Sequence, residues 1–416
     1  MKRIKSKVYG ALRGSEKYAK TDMVVLTKEM SWLTIGKIVS MATSLILTYV
    51  LANFIPQDVF GNYKFIISIF GIIAAFSLTG LGTIVTQSVS KGFDRTFFEA
   101  MRVHLKWGFI MTLISVGVSI YYFIKGNEIF GMAMILVAIA SPVMQSQIMF
   151  SPYLQGKRNF KDDSIYGFWY TITPAIALII TAFLTDSFLI LISVYFISYS
   201  LISTILNKIV SKQVDLNTEV DNESIKYGKH LSLMGVLGGI SSHLDKVLVF
   251  HYIGAVELAI YSIALAIPQQ LRNLDRLITT ISATRLPKLE IYQIKKVLPR
   301  KSFLIFLISL VVAIIYILLA PLFFRIFFPT YLDAVFYSQI YVLIMLLSPV
   351  ILMKQTLTAH NKTKELYVIN SVMPIVKILG LLIFLPIFGM MGAIIAIFVS
   401  EIAKVILVTF YYKKLN

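Results

Sequence analysis

Apolar runs of bilayer length recur along this chain, separated by short polar stretches. Twelve are read from the pattern. The first six are Met30–Asn53, Phe65–Ser88, His104–Ile124, Ile129–Phe150, Ile165–Leu184 and Ser187–Asn207. The second six are Lys229–Tyr252, Val256–Thr284, Ser302–Phe324, Ala334–Lys354, Tyr367–Phe388 and Met390–Tyr412. A bilayer-spanning helix needs roughly 20 mostly apolar residues, and each run supplies that length. Pro142, Pro174, Pro268, Pro349 and Pro374 fall inside the runs, as bilayer helices allow when neighbours satisfy the freed carbonyls. The pattern predicts an all-α polytopic membrane protein of about 12 transmembrane helices, with loops on one side no longer than Phe54–Lys64 and Arg325–Asp333.

The segments divide into two sets of six. Ile55-Pro56-Gln57-Asp58-Val59-Phe60-Gly61-Asn62-Tyr63 follows the first run, and Ile253-Gly254-Ala255-Val256-Glu257-Leu258-Ala259-Ile260-Tyr261 follows the seventh. Both begin with Ile, carry an acid in mid-loop and end in Tyr entering the next helix. With six helices per half, both halves start on the same side, so they are parallel repeats about an axis along the membrane normal. The expected organisation is a basic N-terminal segment (1–29), a six-helix lobe (30–208), a polar linker (209–228) and a second six-helix lobe (229–416). Residues 1–29 lack the pattern of a signal peptide, so the chain is expected to keep them.

Composition agrees. Of 416 residues 57% are hydrophobic and 14% charged, against roughly 25% charged in soluble domains, which excludes a soluble enzyme. There is no Cys, so disulfides, thiolate metal sites and a cysteine nucleophile are excluded as well. The net charge of +18 would suggest nucleic acid in a soluble protein, but its distribution fits the positive-inside rule. Of 39 Lys and Arg residues, three (Lys64, Lys125 and Arg325) fall on one side and six lie inside segments. All the others fall on the side of the N-terminus, which places both termini in the cytoplasm of a multi-pass cell-membrane protein. Trp32, Trp107 and Trp169 sit at the same cytoplasmic ends, where indole favours the interface. The basic tail also suits contact with membrane lipid.

The six basic residues inside segments are Lys37, Lys246, Arg272, Arg276, Lys377 and Lys404, and the acids there are Asp245, Asp275 and Glu401. A charge near the bilayer centre costs at least about 2.5–3.5 kcal/mol and usually faces a bundle interior or a watery cavity. At 1.5 Å rise per residue, Lys377 lies about 15 Å into its helix, at the midplane, and Glu401, at similar depth, is its natural candidate partner. Lys404 lies one turn from Glu401, so a local pair is expected there too. Arg272 and Arg276 share a face beside Asp275, and Asp245 and Lys246 point about 100° apart on one helix. An excess of buried cations points to an anionic ligand held by Lys377, Lys246, Arg272, Arg276 and Lys37, with phosphate or diphosphate the obvious class. Asp245, Asp275 and Glu401 are candidates for proton or Na⁺ coupling or for pairing these cations. There is no GxxxxGK[ST] loop and no HExxH helix, so no catalytic residue, metal site or other cofactor is expected.

Several places in this order resemble the polysaccharide-export flippases, the O-antigen and teichoic-acid type of the multidrug/oligosaccharidyl-lipid/polysaccharide (MOP, MATE-like) superfamily. Phe54–Tyr63 is similar to the turn after that family's first helix. Leu244-Asp245-Lys246 followed by Ile253-Gly254 and Tyr261 is similar to its seventh-helix segment. The helix-eight exit Arg285-Leu286-Pro287-Lys288-Leu289, the turn Pro329–Ala334 and the last helix with Glu401 and Lys404 add to the likeness. The resemblance implies two six-helix lobes around a central cavity that opens to each side in turn. The cargo would be a polyprenyl-diphosphate-linked oligosaccharide, flipped from the cytoplasmic to the outer face, with a polysaccharide polymerase or other assembly protein as partner and no nucleic acid. Two alternatives stay open: a cation-coupled multidrug exporter of the same fold, and a membrane glycosyltransferase or polymerase. The first would favour acids within the first-half helices, and the second a large outer loop or outer-face acids.

Overall fold

The computed structural model describes residues 23–273, 279, 282, 286 and 290–415. The described residues form fourteen α-helices joined by turns and two short 3₁₀ pieces, with no strand among them. In the first half these are α1 (Met23–Phe54), α2 (Gln57–Ala74), α3 (Gly80–Ser90), α4 (Thr96–Ile124), α5 (Glu128–Gln147), α6 (Phe150–Gly156), α7 (Phe160–Leu184) and α8 (Phe188–Ser211). In the second half they are α9 (Asn222–Tyr252), α10 (Ala255–Arg272), α11 (Ile291–Phe327), α12 (Ala334–Val342), α13 (Val350–Ala359) and α14 (Thr363–Lys413).

Among the described residues, eight helical stretches are long and apolar enough to cross a bilayer. A ninth is formed by Ala334–Leu347 and Val350–Ala359, which meet at a 44° bend. Large apolar side chains such as Phe109, Ile124, Leu184 and Leu318 stand exposed on these helices. In water such surface would drive aggregation, whereas in a bilayer it is the surface that lipid tails solvate. The chain is therefore a multi-pass membrane protein.

Three expected runs are interrupted. Phe65–Ser88 is divided at Ala75–Thr79 into α2 and α3, and Ile129–Phe150 is divided between α5 and α6. The run Ala334–Lys354 bends at Ser348–Pro349 after a 3₁₀ turn over Leu343–Leu347. The expected loop Phe54–Lys64 is mostly helix, because Pro56 takes the N-cap position and α2 starts at Gln57. Lys64 is thus a helix residue.

In contrast, the break between the last two expected runs falls where their boundary is read. At 1.5 Å per residue, the 51 residues of α14 would reach about 76 Å, more than twice a bilayer's hydrocarbon thickness. Gly389 (φ 59°, ψ −141°) breaks the helical path in a conformation that only glycine adopts readily. The two limbs fold back on each other, and a Cβ built on Gly380 would lie 3.2 Å from that of Ala396.

Packing divides the chain into two compact units. Among the described residues, unit 1 comprises 23–46, 77–180 and 193–233, and unit 2 comprises 47–76, 181–192 and those from 234 onward. Unit 2 packs α2 against α9 and α10, and Asn53 Nδ2 at the end of α1 donates to Phe327 O at 2.8 Å. Unit 1 buries Leu81, Val85, Phe97, Phe150, Tyr153 and Val210 in one core. Its polar loops are tied by Asp94, whose carboxylate lies 2.6 Å from Lys157 Nζ and accepts from Tyr153 Oη. Asp221 caps α9 by accepting from Ser224 N and Oγ, and Ser88 Oγ also donates to it. Hydrogen bonding by the Ser224 hydroxyl, first of all, holds the Asp221 carboxyl below the usual carboxylate range.

In unit 2 the two sequence repeats meet. A Cβ built on Gly61 would lie 1.8 Å from Ala255 O, so α2 and α10 approach backbone to backbone. The repeat tyrosines Tyr63 and Tyr261 are both buried. Phe65 stacks on Phe250 at 3.8 Å between centroids, and the absence of a side chain at Gly71 leaves room for the His243 imidazole.

Candidate functional site

Unit 2 brings charged side chains of several helices together in two groups. The first is centred on Asp245 of α9, which is 3% exposed. Tyr261 Oη of α10 donates to Asp245 Oδ2 at 2.9 Å. Lys377 of α14 places Nζ 3.6 Å from Asp245 Oδ1 and donates to Ser241 O at 2.6 Å. Three helices thus converge on one carboxylate. The sequence expectation that Glu401 would pair with Lys377 is overturned: equal depth was a sound reading, but depth does not fix the face from which a side chain leaves its helix.

Lys246 follows Asp245 and makes no hydrogen bond or ion pair with a described residue. It is close enough to Lys377 and to Lys64 of α2 to repel both. Lys64 Nζ sits over the ring of Phe60, 5.0 Å from its centroid, which stabilises a cation by about 0.5–2 kcal/mol. Lys377 and Lys246 therefore stand beside one carboxylate, and Lys64 adjoins Lys246. Lys64 was missed by the sequence reading, which assigned it to a loop. The signal available was Pro56, which starts the helix early enough to carry Lys64 into it.

The second group is centred on Glu401 of α14. Arg272 Nη2, at the end of α10, donates to Glu401 Oε1 at 2.8 Å, and Lys404 pairs with Glu401 Oε2. The expected local pair of Glu401 and Lys404 is present. Arg272 Nη1 lies 3.4 Å from Tyr341 Oη. Lys354 of α13 donates to Asn370 Oδ1 at 2.9 Å, and with Arg272, Glu401 and Lys404 it lines a cavity of about 270 Å³. Three cations stand around one carboxylate. Sequence position alone puts Lys354 at a cytoplasmic helix end, with no site role; in the structure it follows the 44° bend and lines the same cavity as Arg272.

The residues expected to form one cationic site are thus distributed. Lys377, Lys246 and Asp245 come together, and so do Arg272 and Glu401. Lys37 is exposed on α1 in unit 1 and belongs to neither group. Arg276 and Asp275 lie outside the described residues, as do Arg285, Pro287, Lys288 and Leu289 of the helix-eight exit.

With this geometry in place, comparison with known proteins decides the family. A family described as polysaccharide biosynthesis protein matches residues 26–289. The chain belongs to the polysaccharide biosynthesis protein family. No curated protein sequence matches it. Among solved structures, the family member is similar to an inward-facing MATE multidrug resistance transporter of the MOP superfamily, with a TM-score of 0.69 at 13% identity over 92% of this chain and 97% of that one. It is also similar to the lipid II flippase MurJ in an inward closed conformation, with a TM-score of 0.66 at 14% identity over 92% and 87%. A third similar structure is a MOP transporter from Pyrococcus furiosus described by the reversed polarity of its binding pocket, at 0.62 and 13% identity over 93% and 95%. At these identities the likeness establishes the fold: the expected all-α, MATE-like architecture is the one this chain adopts.

Proposed function

We propose that this protein is a flippase that moves a polyprenyl-diphosphate-linked oligosaccharide from the cytoplasmic to the outer face of the cell membrane, where surface polysaccharide is assembled. The observation that carries the reading is the repeated excess of cations within the membrane-spanning part of unit 2. Lys246 and Lys377 stand beside Asp245 with Lys64 next to Lys246, and Arg272, Lys354 and Lys404 stand beside Glu401. A diphosphate diester carries two negative charges, which cannot enter hydrocarbon without replacement of their hydration. Ammonium and guanidinium groups supply that replacement through charge-assisted hydrogen bonds. Membership of the polysaccharide biosynthesis family supports the glycan part of the cargo, and the shared fold with a lipid II flippase supports the lipid part.

The reading includes twelve spans with both termini in the cytoplasm, transport by alternating access without catalysis, and delivery to a polymerase or other assembly protein. Asp245 and Glu401 act in it as partners of cations rather than as proton or Na⁺ sites, since each carboxylate already has cationic partners. The same pairing disfavours an exporter of cationic drugs, which would need unpaired acids to hold its cargo.

Deletion of the gene, followed by mass spectrometry of polyprenyl-diphosphate-linked oligosaccharides sorted by membrane face, tests the proposal. The expected result is accumulation of complete units on the cytoplasmic face with loss of surface polymer. Complete units arriving normally on the outer face would overturn it, and incomplete units would turn the assignment to an enzyme of their assembly.

A further inference from the structure

A cavity of about 270 Å³ opens in unit 1 where the start of α4 meets the connection between α8 and α9. Arg95, Phe98, Glu99 and Arg102 line it from α4 and its N-cap, and Leu216 and Val220 from the connection. Two bonds fasten the connection there. Arg95 N donates to Thr218 Oγ1 at 2.9 Å, and Asp221 N donates to Thr96 Oγ1 at 3.0 Å. Leu216 is left exposed, lining the same hollow as two guanidinium groups. The Arg95 guanidinium makes no hydrogen bond or ion pair with a described residue. Arg102 reaches Glu99 only at 3.5 Å, between solvent-accessible side chains, a contact given up at little cost.

At 3.6 residues per turn, Phe98 and Arg102 share a helix face with Leu105, Phe109, Leu113, Val116 and Ile120. The last five are all exposed, so lipid tails solvate this face along the span. The hollow therefore sits at the head of a lipid-facing stripe. Trp107 follows Arg102 by about 7.5 Å along the helix axis, and indole favours the membrane interface. That puts Arg95 and Arg102 at headgroup level. The positive end of the α4 dipole adds to the attraction for an anion there. Arg95, Arg102 and Glu99 leave one net positive charge in the hollow, and Lys106 stands exposed one turn below.

We infer that this hollow is a binding site for an anionic phospholipid of the surrounding bilayer. Its phosphate lies between Arg95 and Arg102, Phe98, Leu216 and Val220 cover its glycerol backbone, and an acyl chain runs down the exposed face of α4. Guanidinium groups suit phosphate oxygens, which they meet with paired parallel donors. A free phosphate would use the charges but not the stripe, and a soluble acidic segment would leave the stripe uncovered. Glu99 repels the headgroup and so sets how strongly the site distinguishes anionic from zwitterionic lipid. The site requires nothing of the cargo or of the direction of transport.

Quenching of a single tryptophan by brominated lipid tests the site. Trp32, Trp107 and Trp169, the chain's three tryptophans, are replaced by Phe in the full-length protein, and Phe109→Trp is introduced. Position 109 lies about 10 Å below Arg102 along α4, near the depth of bromines placed in mid-chain. The protein is reconstituted in vesicles of phosphatidylcholine and phosphatidylglycerol, with one of the two brominated. At equal mole fraction, phosphatidylglycerol is expected to quench about fivefold more effectively, the factor that one basic residue at a membrane surface supplies. Arg95→Gln/Arg102→Gln should bring the ratio to within about twofold of parity, while Arg95→Lys/Arg102→Lys keeps it and Glu99→Gln raises it. A purely structural Glu99 predicts no such rise. With Ile120→Trp in place of Phe109→Trp, about 16 Å further along the helix, no preference is expected. Equal quenching by the two lipids at position 109 would overturn the inference and leave the hollow to an acidic protein segment. A preference that survives Arg95→Gln/Arg102→Gln would overturn it too, and one abolished by millimolar inorganic phosphate would reassign the hollow to a free anion. If the tryptophan-free background fails to fold, native mass spectrometry of the parent protein decides. Arg95→Gln/Arg102→Gln should then retain fewer phosphatidylglycerol molecules than the parent, and an unchanged number would reject the site.

Discussion

Lys377 holds two opposed roles at once. It neutralises the buried Asp245 at 3.6 Å and belongs to the cationic excess that would meet an anionic cargo. Removing one partner of a buried pair leaves an uncompensated charge and costs about 3–5 kcal/mol, whereas replacing both with neutral groups is often tolerated. Lys377→Ala is therefore expected to lower the thermal unfolding midpoint of the detergent-solubilised protein sharply. The double variant Lys377→Met/Asp245→Asn should recover most of that loss. Export should behave differently and stay low in both, since the double variant still lacks the cation. Full export by a stable double variant would show that Lys377 serves the fold alone. At this scale the sequence was informative about kind and depth: an isolated Lys and an Asp in apolar runs could be recognised as site candidates from composition alone. The partner of each could not, because azimuth around a helix depends on how neighbouring helices pack.

At the scale of elements, the close approach of α2 and α10 is a sharp constraint. A methyl group at Gly61 would lie 1.8 Å from Ala255 O, and the obstacle is backbone, which cannot rotate away. Overpacking of this sort costs typically 1–3 kcal/mol or more, so Gly61→Ala is expected to destabilise the protein by at least that range in thermal or denaturant unfolding. Gly117 of α4 has nothing within 4 Å of its built Cβ, and Gly117→Ala should be neutral or stabilising by up to about 1 kcal/mol. Equal effects from the two substitutions would refute the packing argument. The repeat in which Gly61 occurs was legible in the sequence through its Ile, acid and Tyr positions. That the two copies touch was not, since similarity between segments carries no information about their contact. Helix interruptions divide along the same line. Gly389 marks its break by residue type, because the conformation there demands glycine. The breaks at Ala75–Thr79 and Ser348–Pro349 lie inside runs of high mean hydropathy, which registers immersion in lipid but not the direction of the helix axis; Ser77, Thr79 and Pro349 are compatible with a continuous span as well as with a break.

For the whole molecule, orientation is the property that charge alone predicts and coordinates alone do not test. With twelve spans the basic residues outside them are expected to crowd one side, which the positive-inside rule would make cytoplasmic. The chain has no Cys, so a single introduced thiol reports its location without background. Asp186, exposed in the short turn between α7 and α8, belongs to the side expected outside, and Asn217, exposed in the connection between α8 and α9, to the side expected inside. Asp186→Cys should react with a membrane-impermeant maleimide in intact cells, and Asn217→Cys only after the membrane is permeabilised. The two positions are separated in sequence by a single long helix, so their labelling must be opposite if α8 crosses the bilayer. The reverse pattern would invert the topology and turn the proposed direction of transport with it, because cargo made in the cytoplasm would then meet the face now assigned to release. Labelling of both positions in intact cells would mean that α8 does not cross, and would remove the even number of spans on which the two-repeat organisation depends.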